Sequence, residues 1–206
     1  MEHESVFDLD ALVSAAVADA DLASGEIPNI DLYLDQILTL AADRLAQNQR
    51  GDKLLTKTMI NNYSKDGLIK PVKGKKYSRE HIVQMLLVYA LKQTLSIGEI
   101  KQALDGVYAT DGFDGSDLIA CYDRFLEMKA HERAAAPGIV RELFAAEGLD
   151  MADEGDFFVG LLGVAAMSAY FRNVAQDMLA ARYPIPEREK KDKEKEKDKE
   201  KTQKGD

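Results

Sequence analysis

Between Asp156 and Arg172 the chain runs through FFVGLLGVAAMSAYF, fifteen residues without a charge. A membrane span needs roughly 20 apolar residues, so this run is short by more than a turn. Gly160, Gly163 and several alanines inside it let another backbone come close. The run is therefore expected to be covered by protein, as a buried core helix or at a subunit interface, with no membrane association.

The whole chain of 206 residues is 46% hydrophobic and 31% charged, the balance of a soluble globular protein. Helical spacing organises most of it. Leu9, Leu12, Val13, Ala16 and Val17 fall at i, i+3, i+4, i+7 and i+8 and predict an amphipathic helix over 8–20. SGEIPN then breaks the chain. Leu34, Ile37, Leu38, Ala41 and Leu45 predict a second helix over 31–47, with Asn29 or Asp31 as its cap. A third is expected over 56–65, ended by Gly67 in a left-handed cap. LIKPVKGKKY reads as two short extended pieces around Lys73-Gly74, a hairpin-like wing. Ser78 caps the next helix, and SIGE at 96–99 is a capping box that starts a short one with Ile97, Ile100 and Leu104 inward. Residues 117–134 and 137–147 read as two helices broken at Pro137.

The divisions that follow are an N-terminal amphipathic segment (1–26), a winged domain (27–105), a helical C-terminal domain for dimerisation or effector binding (106–186), and a charged tail (187–206). The tail has no apolar residue and is expected to be disordered.

Net charge is −9, but it is unevenly spread. Residues 1–53 and 105–186 each carry −8, the tail +1, and residues 54–104 carry +6. A basic island in an acidic protein points to a specific polyanion site. Within it, the helix over 56–65 turns Leu55, Met59, Ile60 and Tyr63 toward the core. Lys57, Thr58, Asn61, Asn62 and Lys65 form the opposite stripe, which contains no carboxylate. Asn is a poor helix former, so two in succession suggest another use. A carboxamide bonds bidentately to adenine in the major groove, while lysines and hydroxyls hold phosphates.

These residues also carry a resemblance. The string from Thr58 through Leu104 resembles the latter part of a mercury-resistance (MerR-type) winged helix-turn-helix. Gly67-Leu68-Ile69-Lys70-Pro71, Tyr77-Ser78 and Leu95-Ser96-Ile97-Gly98-Glu99-Ile100 match that pattern in order. IDLYLDQI, LTKTMINNYSKDGLI, KKYSREHI and LKQTLSIGEIK are similar to a bacterial family known as domain of unknown function 1836, over residues 27–105. The resemblance implies a mainly α fold: a MerR-like winged helix-turn-helix with a small β wing, followed by an α-helical region. With the stripe and the wing, it points to a transcriptional regulator bound to double-stranded DNA through Lys57, Thr58, Asn61, Asn62, Tyr63, Lys65, Lys73, Lys75, Lys76 and Arg79. Asn61 and Asn62 stand where the MerR pattern has an Arg and an aromatic, so phosphate contact would pass to Lys57, Lys65 or the wing.

Other chemistry is poorly represented. His3, His81 and His131 lack metal-ligand spacing, and no phosphate loop or nucleophile elbow is present. Asp150, Asp153, Glu154 and Asp156 read as a solvated loop or helix start. No enzymatic activity and no cofactor are expected. Cys121 reads as a small core residue, and His81 as facing DNA or solvent. A single cysteine and an acidic N-terminus fit a reducing, cytoplasmic setting. Two functions of different class follow: a DNA-binding regulator acting as a homodimer with an effector still to be named, or a non-enzymatic interaction adaptor that kept the winged fold without DNA binding.

Overall fold

The computed structural model describes residues 8–45, 55–72 and 74–185. Lys73, His3, the loop at 47–53 and the tail from 187 lie outside the described residues. Among those described, seven α-helices dominate: α1 (Leu9–Val17), α2 (Leu34–Leu45), α3 (Lys57–Lys65), α4 (Arg79–Leu91), α5 (Ile97–Tyr108), α6 (Gly115–Ala146) and α7 (Glu154–Arg182). Two short strands, β1 (Leu32–Tyr33) and β2 (Lys76–Tyr77), pair antiparallel with Leu32 opposite Tyr77. The protein is mainly helical with a small two-stranded sheet.

α4 is the centre of the fold. Ile82, Val83, Met85, Leu86 and Val88 are buried almost completely, and one cluster joins them to Ile37 and Ala41 of α2, Ile60 and Tyr63 of α3, and Ile100 and Leu104 of α5. Leu118 and Tyr122 of α6 belong to the same cluster, so the hydrophobic core continues past residue 105.

Two hydrogen-bond systems close this core. The Tyr122 hydroxyl donates to the Leu22 carbonyl at 2.8 Å. One residue on, Asp123 accepts from both the amide (3.2 Å) and the hydroxyl (2.6 Å) of Ser24. Burial, with the Asp21, Asp123 and Glu26 charges nearby, pushes the Tyr122 phenol well above its usual range, so it stays a donor at any ordinary pH. Outside the clasp, α1 packs on α6. There Lys129 and Arg133 pair with Asp19 and Asp21, and Arg141 with Asp10. Asp10, Asp19 and Asp21 of the acidic start are thus paired with basic side chains of α6.

The structure departs from the sequence expectations at several places. α2 begins at Leu34, not after Asn29 or Asp31, because residues 32–33 pair as β1; the Gln36 side chain accepts from the Tyr33 amide instead. Pro137 does not break the helix, and α6 runs unbroken for 32 residues. Proline removes its own amide donor and its ring crowds the carbonyl four residues back, so α6 carries a local cost at Arg133–Pro137 without ending there. Cys121 is exposed, one residue off the buried face that Leu118 and Tyr122 define. Leu12 and Ile97 are exposed too, at 51% and 36%.

The charge-free run is not a core helix. It lies within α7, whose Phe158, Leu161, Leu162, Tyr170 and Phe171 are 53–67% exposed. By length and composition α7 is one helix among the described residues that could cross a membrane, with 6% of its apolar window buried. α7 touches its own chain at few points. Gly160 lies against Phe144 and Met151, where a Cβ would come within 3.2 Å. Gln176 donates to Glu99 and Gln102 donates to the Tyr183 carbonyl.

Removing only the oxygen in Tyr122→Phe leaves the ring in place and the buried Leu22 carbonyl unpaired. Such a loss costs about 1–2 kcal/mol, so the midpoint of urea unfolding should fall with little change in slope. A variant as stable as wild type would show that the clasp is dispensable.

Candidate nucleic-acid interface

α3 is fixed at both ends by its own sequence. Thr56 accepts from the Met59 amide through its hydroxyl at 3.2 Å, capping the start. At the other end Leu68 N–H donates to Tyr63 C=O, and Gly67 N–H to Ser64 C=O, with Gly67 at φ +72°. That pattern is a Schellman motif, and its usual apolar contact is supplied by buried Tyr63 and Leu68. Met59, Ile60 and Tyr63 therefore face inward as expected. Lys57, Thr58, Asn61, Asn62 and Lys65 are all exposed along the other side.

The chain beyond Gly67 is held by a polar network. Leu68 and Ile69 are buried, and the Lys70 amide donates to Gln84 Oε1 at 3.1 Å. Gln84 in turn donates to the Tyr108 hydroxyl (3.0 Å), which donates to Glu80 (2.6 Å). The Lys70 ammonium completes the set, 2.8 Å from Glu80 and 3.7 Å above the Tyr108 ring. Burial pushes Glu80 up, but the Lys70 and Tyr108 hydrogen bonds and the charges of Lys70 and His81 outweigh it and hold the carboxyl below its usual value. Burial and Glu80 together push the Tyr108 phenol well up.

This network explains why the expected hairpin does not pair with itself. The Lys70 backbone is bonded to Gln84, so β2 finds its partner in β1, more than forty residues earlier. A turn does form here, at Gly74-Lys75, one position on from the expected Lys73-Gly74. Gly74 and Lys75 are both at φ +62°, two left-handed residues in succession as a tight hairpin turn requires. Lys75 is the one non-glycine residue at positive φ among the described residues, a conformation that costs a side-chain-bearing residue roughly 1–2 kcal/mol.

The ten residues expected to meet nucleic acid thus separate. Lys57, Thr58, Asn61, Asn62 and Lys65 share the open face of α3, and Lys75 and Lys76 stand exposed on the turn and β2. The Lys76 ammonium lies 5.2 Å from the Tyr33 ring centre. Tyr63 is 6% exposed and belongs to the core. Arg79 is half-buried, donating to the Ile27 carbonyl at 2.9 Å. His81 is partly buried: its Nδ1 accepts from the Ser78 amide, and its buried Nε2 has no partner among the described residues. One cation was missed. Lys101 of α5 sits beside Gly67, its Nζ 3.2 Å from where a Cβ would be, and pairs with Asp105. It lies more than thirty residues from α3 in sequence, so no local spacing could reveal it.

Elsewhere, a cavity of about 460 Å³ lies between α1, α4 and α6. The two cations on its rim, Lys129 and Arg133, are already paired with Asp19 and Asp21. The acidic residues 150–156 start α7: Asp153 accepts from the Gly155 and Asp156 amides, and Asp156 from Asp150. No group of three metal-ligating side chains occurs among the described residues.

The family model for a domain of unknown function (DUF1836) matches residues 22–125, which is 104 of the 206. The chain belongs to the DUF1836 family. No curated protein and no solved structure matches it. The matched span begins at Leu22 and ends two residues past Asp123, so the DUF1836 unit is bounded by the clasp that closes its core. It is wider than the 27–105 of the sequence resemblance at both ends.

Because Glu80 is held low in the folded state, its contribution is present above the unfolded carboxylate value and is lost as pH falls through the folded one. Stability should be flat from pH 7 to 5 and drop below pH ~4, near the free carboxylate value. Glu80→Gln should blunt that drop in urea melts across the series. Gly115→Ala, whose Cβ would lie 2.5 Å from the Glu80 carboxylate, should act in the same direction. An unchanged pH profile in both variants would remove Glu80 as the anchor of this segment.

Proposed function

We propose that this DUF1836 protein is a DNA-binding transcriptional regulator that presents α3 to the major groove in a MerR-like winged helix-turn-helix. The observation that carries the reading is the open face of α3. Two carboxamides, a hydroxyl and two lysines lie together there without a carboxylate, on a helix pinned at both ends. A solvated surface helix ordinarily mixes charges of both signs; this one is built to meet an acceptor-rich, anionic surface.

The turn supports the same reading. A lysine held in a left-handed conformation is a local cost, and such costs gather at functional positions. Lys75, and Lys76 beside it, would contact phosphate next to the groove. Lys57, Lys65 and Lys101 would hold backbone on either side of α3, and Asn61 and Asn62 would meet base edges. Tyr63 and Arg79 position this surface from beneath. In this role the protein carries out no chemistry and acts in the cytoplasm.

A duplex selected from random sequence and a scrambled control, titrated over a salt series, separate the roles. Asn61→Ala and Asn62→Ala should each lose about 1–3 kcal/mol on the selected duplex only, the scale of a bidentate base contact. Lys57→Ala, Lys65→Ala and Lys75→Ala should weaken both duplexes alike, each lowering the log–log salt slope by about 0.9. Equal loss on both duplexes from all five variants would leave a non-specific binder. Wild type that binds neither duplex at 50 mM salt would overturn the reading in favour of a protein-interaction adaptor.

A further inference from the structure

We infer that α7 is a self-association helix, pairing antiparallel with α7 of a second copy of this chain about a twofold axis near Val164. This inference is independent of the DNA reading.

The first argument is area. Eleven large apolar side chains between Phe157 and Met178 are 37–68% exposed. Residues of this size present roughly 150–250 Å² each when free, so on the order of 1,000 Å² of apolar surface stands open on one helix. The largest patch on a typical monomer is about 300–600 Å², and a stable interface takes about 800 Å² from each partner. At 100° per residue these side chains stand on every side of α7, so one partner helix covers part of a surface that is as a whole larger than a monomer ordinarily exposes.

The second argument is the order of residues along the helix. Phe157, Leu161, Val164, Ser168 and Phe171 follow one another at spacings of four, three, four and three, the seam of a pair of packed helices. All five are exposed. Reversed about Val164, the ends and centre of the seam fall on themselves: Phe157 meets Phe171, Val164 meets its own copy, and Leu161 falls between Met167 and Ser168. Gly163 and Ala165 flank that crossing, and a Cβ on Gly163 would meet nothing within 4 Å of its own chain.

Charge agrees with this polarity. The N-terminal turn carries Glu154 and Asp156, while Arg172 bounds the far end of the apolar run. Glu154 and Arg172 are about five turns apart and so lie on one side of the helix. An antiparallel partner sets each beside the other's opposite charge, and opposes the two helix dipoles. A parallel pair would set Glu154 against Glu154. A bilayer is the poorer occupant. α7 is fastened to its own domain at Glu99–Gln176 and Gln102–Tyr183, and Arg172 and Asp177 interrupt the apolar run after fifteen residues.

The full chain should sediment at micromolar concentration as a dimer, twice its 22.8 kDa. Val164→Arg places two charges at the axis, and should weaken association by roughly a hundredfold or more, the scale of a buried unpaired charge. Circular dichroism should be unchanged, since Val164 is exposed in the single chain. Arg172→Glu should weaken the dimer, and Glu154→Arg added to it should restore it. In a Cys121→Ser background, Val164→Cys should form a disulfide with itself under mild oxidation. Phe171→Cys should join Phe157→Cys but not itself. A wild-type monomer at 50 µM, or Phe171→Cys coupling to itself, would overturn the inference. So would a monomer whose α7 becomes protease-protected only on phosphatidylcholine–phosphatidylglycerol vesicles, which would assign the helix to a bilayer.

Discussion

The structure depends on a closure made near its two ends in the core. Tyr122 and Asp123 of α6 reach back about one hundred residues to Leu22 and Ser24, and the buried cluster around α4 lies between those points. A buried carbonyl left without a donor is costly, so Leu22 specifies a tyrosine rather than merely a large ring. The same turns of α6 put Leu118 into the core and Asp123 on Ser24. That the DUF1836 match stops just past this pair is the same fact seen from the sequence side.

Charge in this protein is sorted by partner rather than by region. The negative start of the chain looks repulsive when counted, yet Asp10, Asp19 and Asp21 meet Arg141, Lys129 and Arg133 of α6. Burial pushes Asp19 up, and the hydrogen bonds from Lys129 and Arg133 outweigh that and hold it low. The basic island is sorted in the same way. Lys70 is taken inward by Glu80, and Arg79 by the Ile27 carbonyl. What stays outside is the stripe on α3 and the pair at the turn, a smaller and better-defined set than the count of lysines implied.

Local signals were legible. The SIGE box forms as written, with the Ser96 hydroxyl accepting from Glu99 N–H and the Glu99 carboxylate accepting from Ser96 N–H. Gly67 ends α3, and the inward and outward faces of α3 follow from spacing alone. Signals that depend on distant partners were not. The start of α2 moved because β2 claims residues 32–33, and the wing paired elsewhere because Gln84 claims the Lys70 amide. Pro137 was read as a stop, although a long helix supported by α1 tolerates the loss of one hydrogen bond. The exposure of α7 was hidden for the opposite reason. Apolar content says that a helix must be covered, and cannot say whether its own chain covers it.

α6 spans about 48 Å at 1.5 Å per residue. Its first turns, with Leu118 and Tyr122, are part of the DUF1836 core, whereas its later turns hold the segment after α1 through Lys129 and Arg133 and α1 itself through Arg141. One uninterrupted rod therefore belongs to two neighbourhoods at once. A substitution that displaces the outer half therefore acts on the same element that carries Tyr122. The clasp, the 460 Å³ cavity beside it and the ion pairs with Asp19 and Asp21 are thereby all built on the same helix.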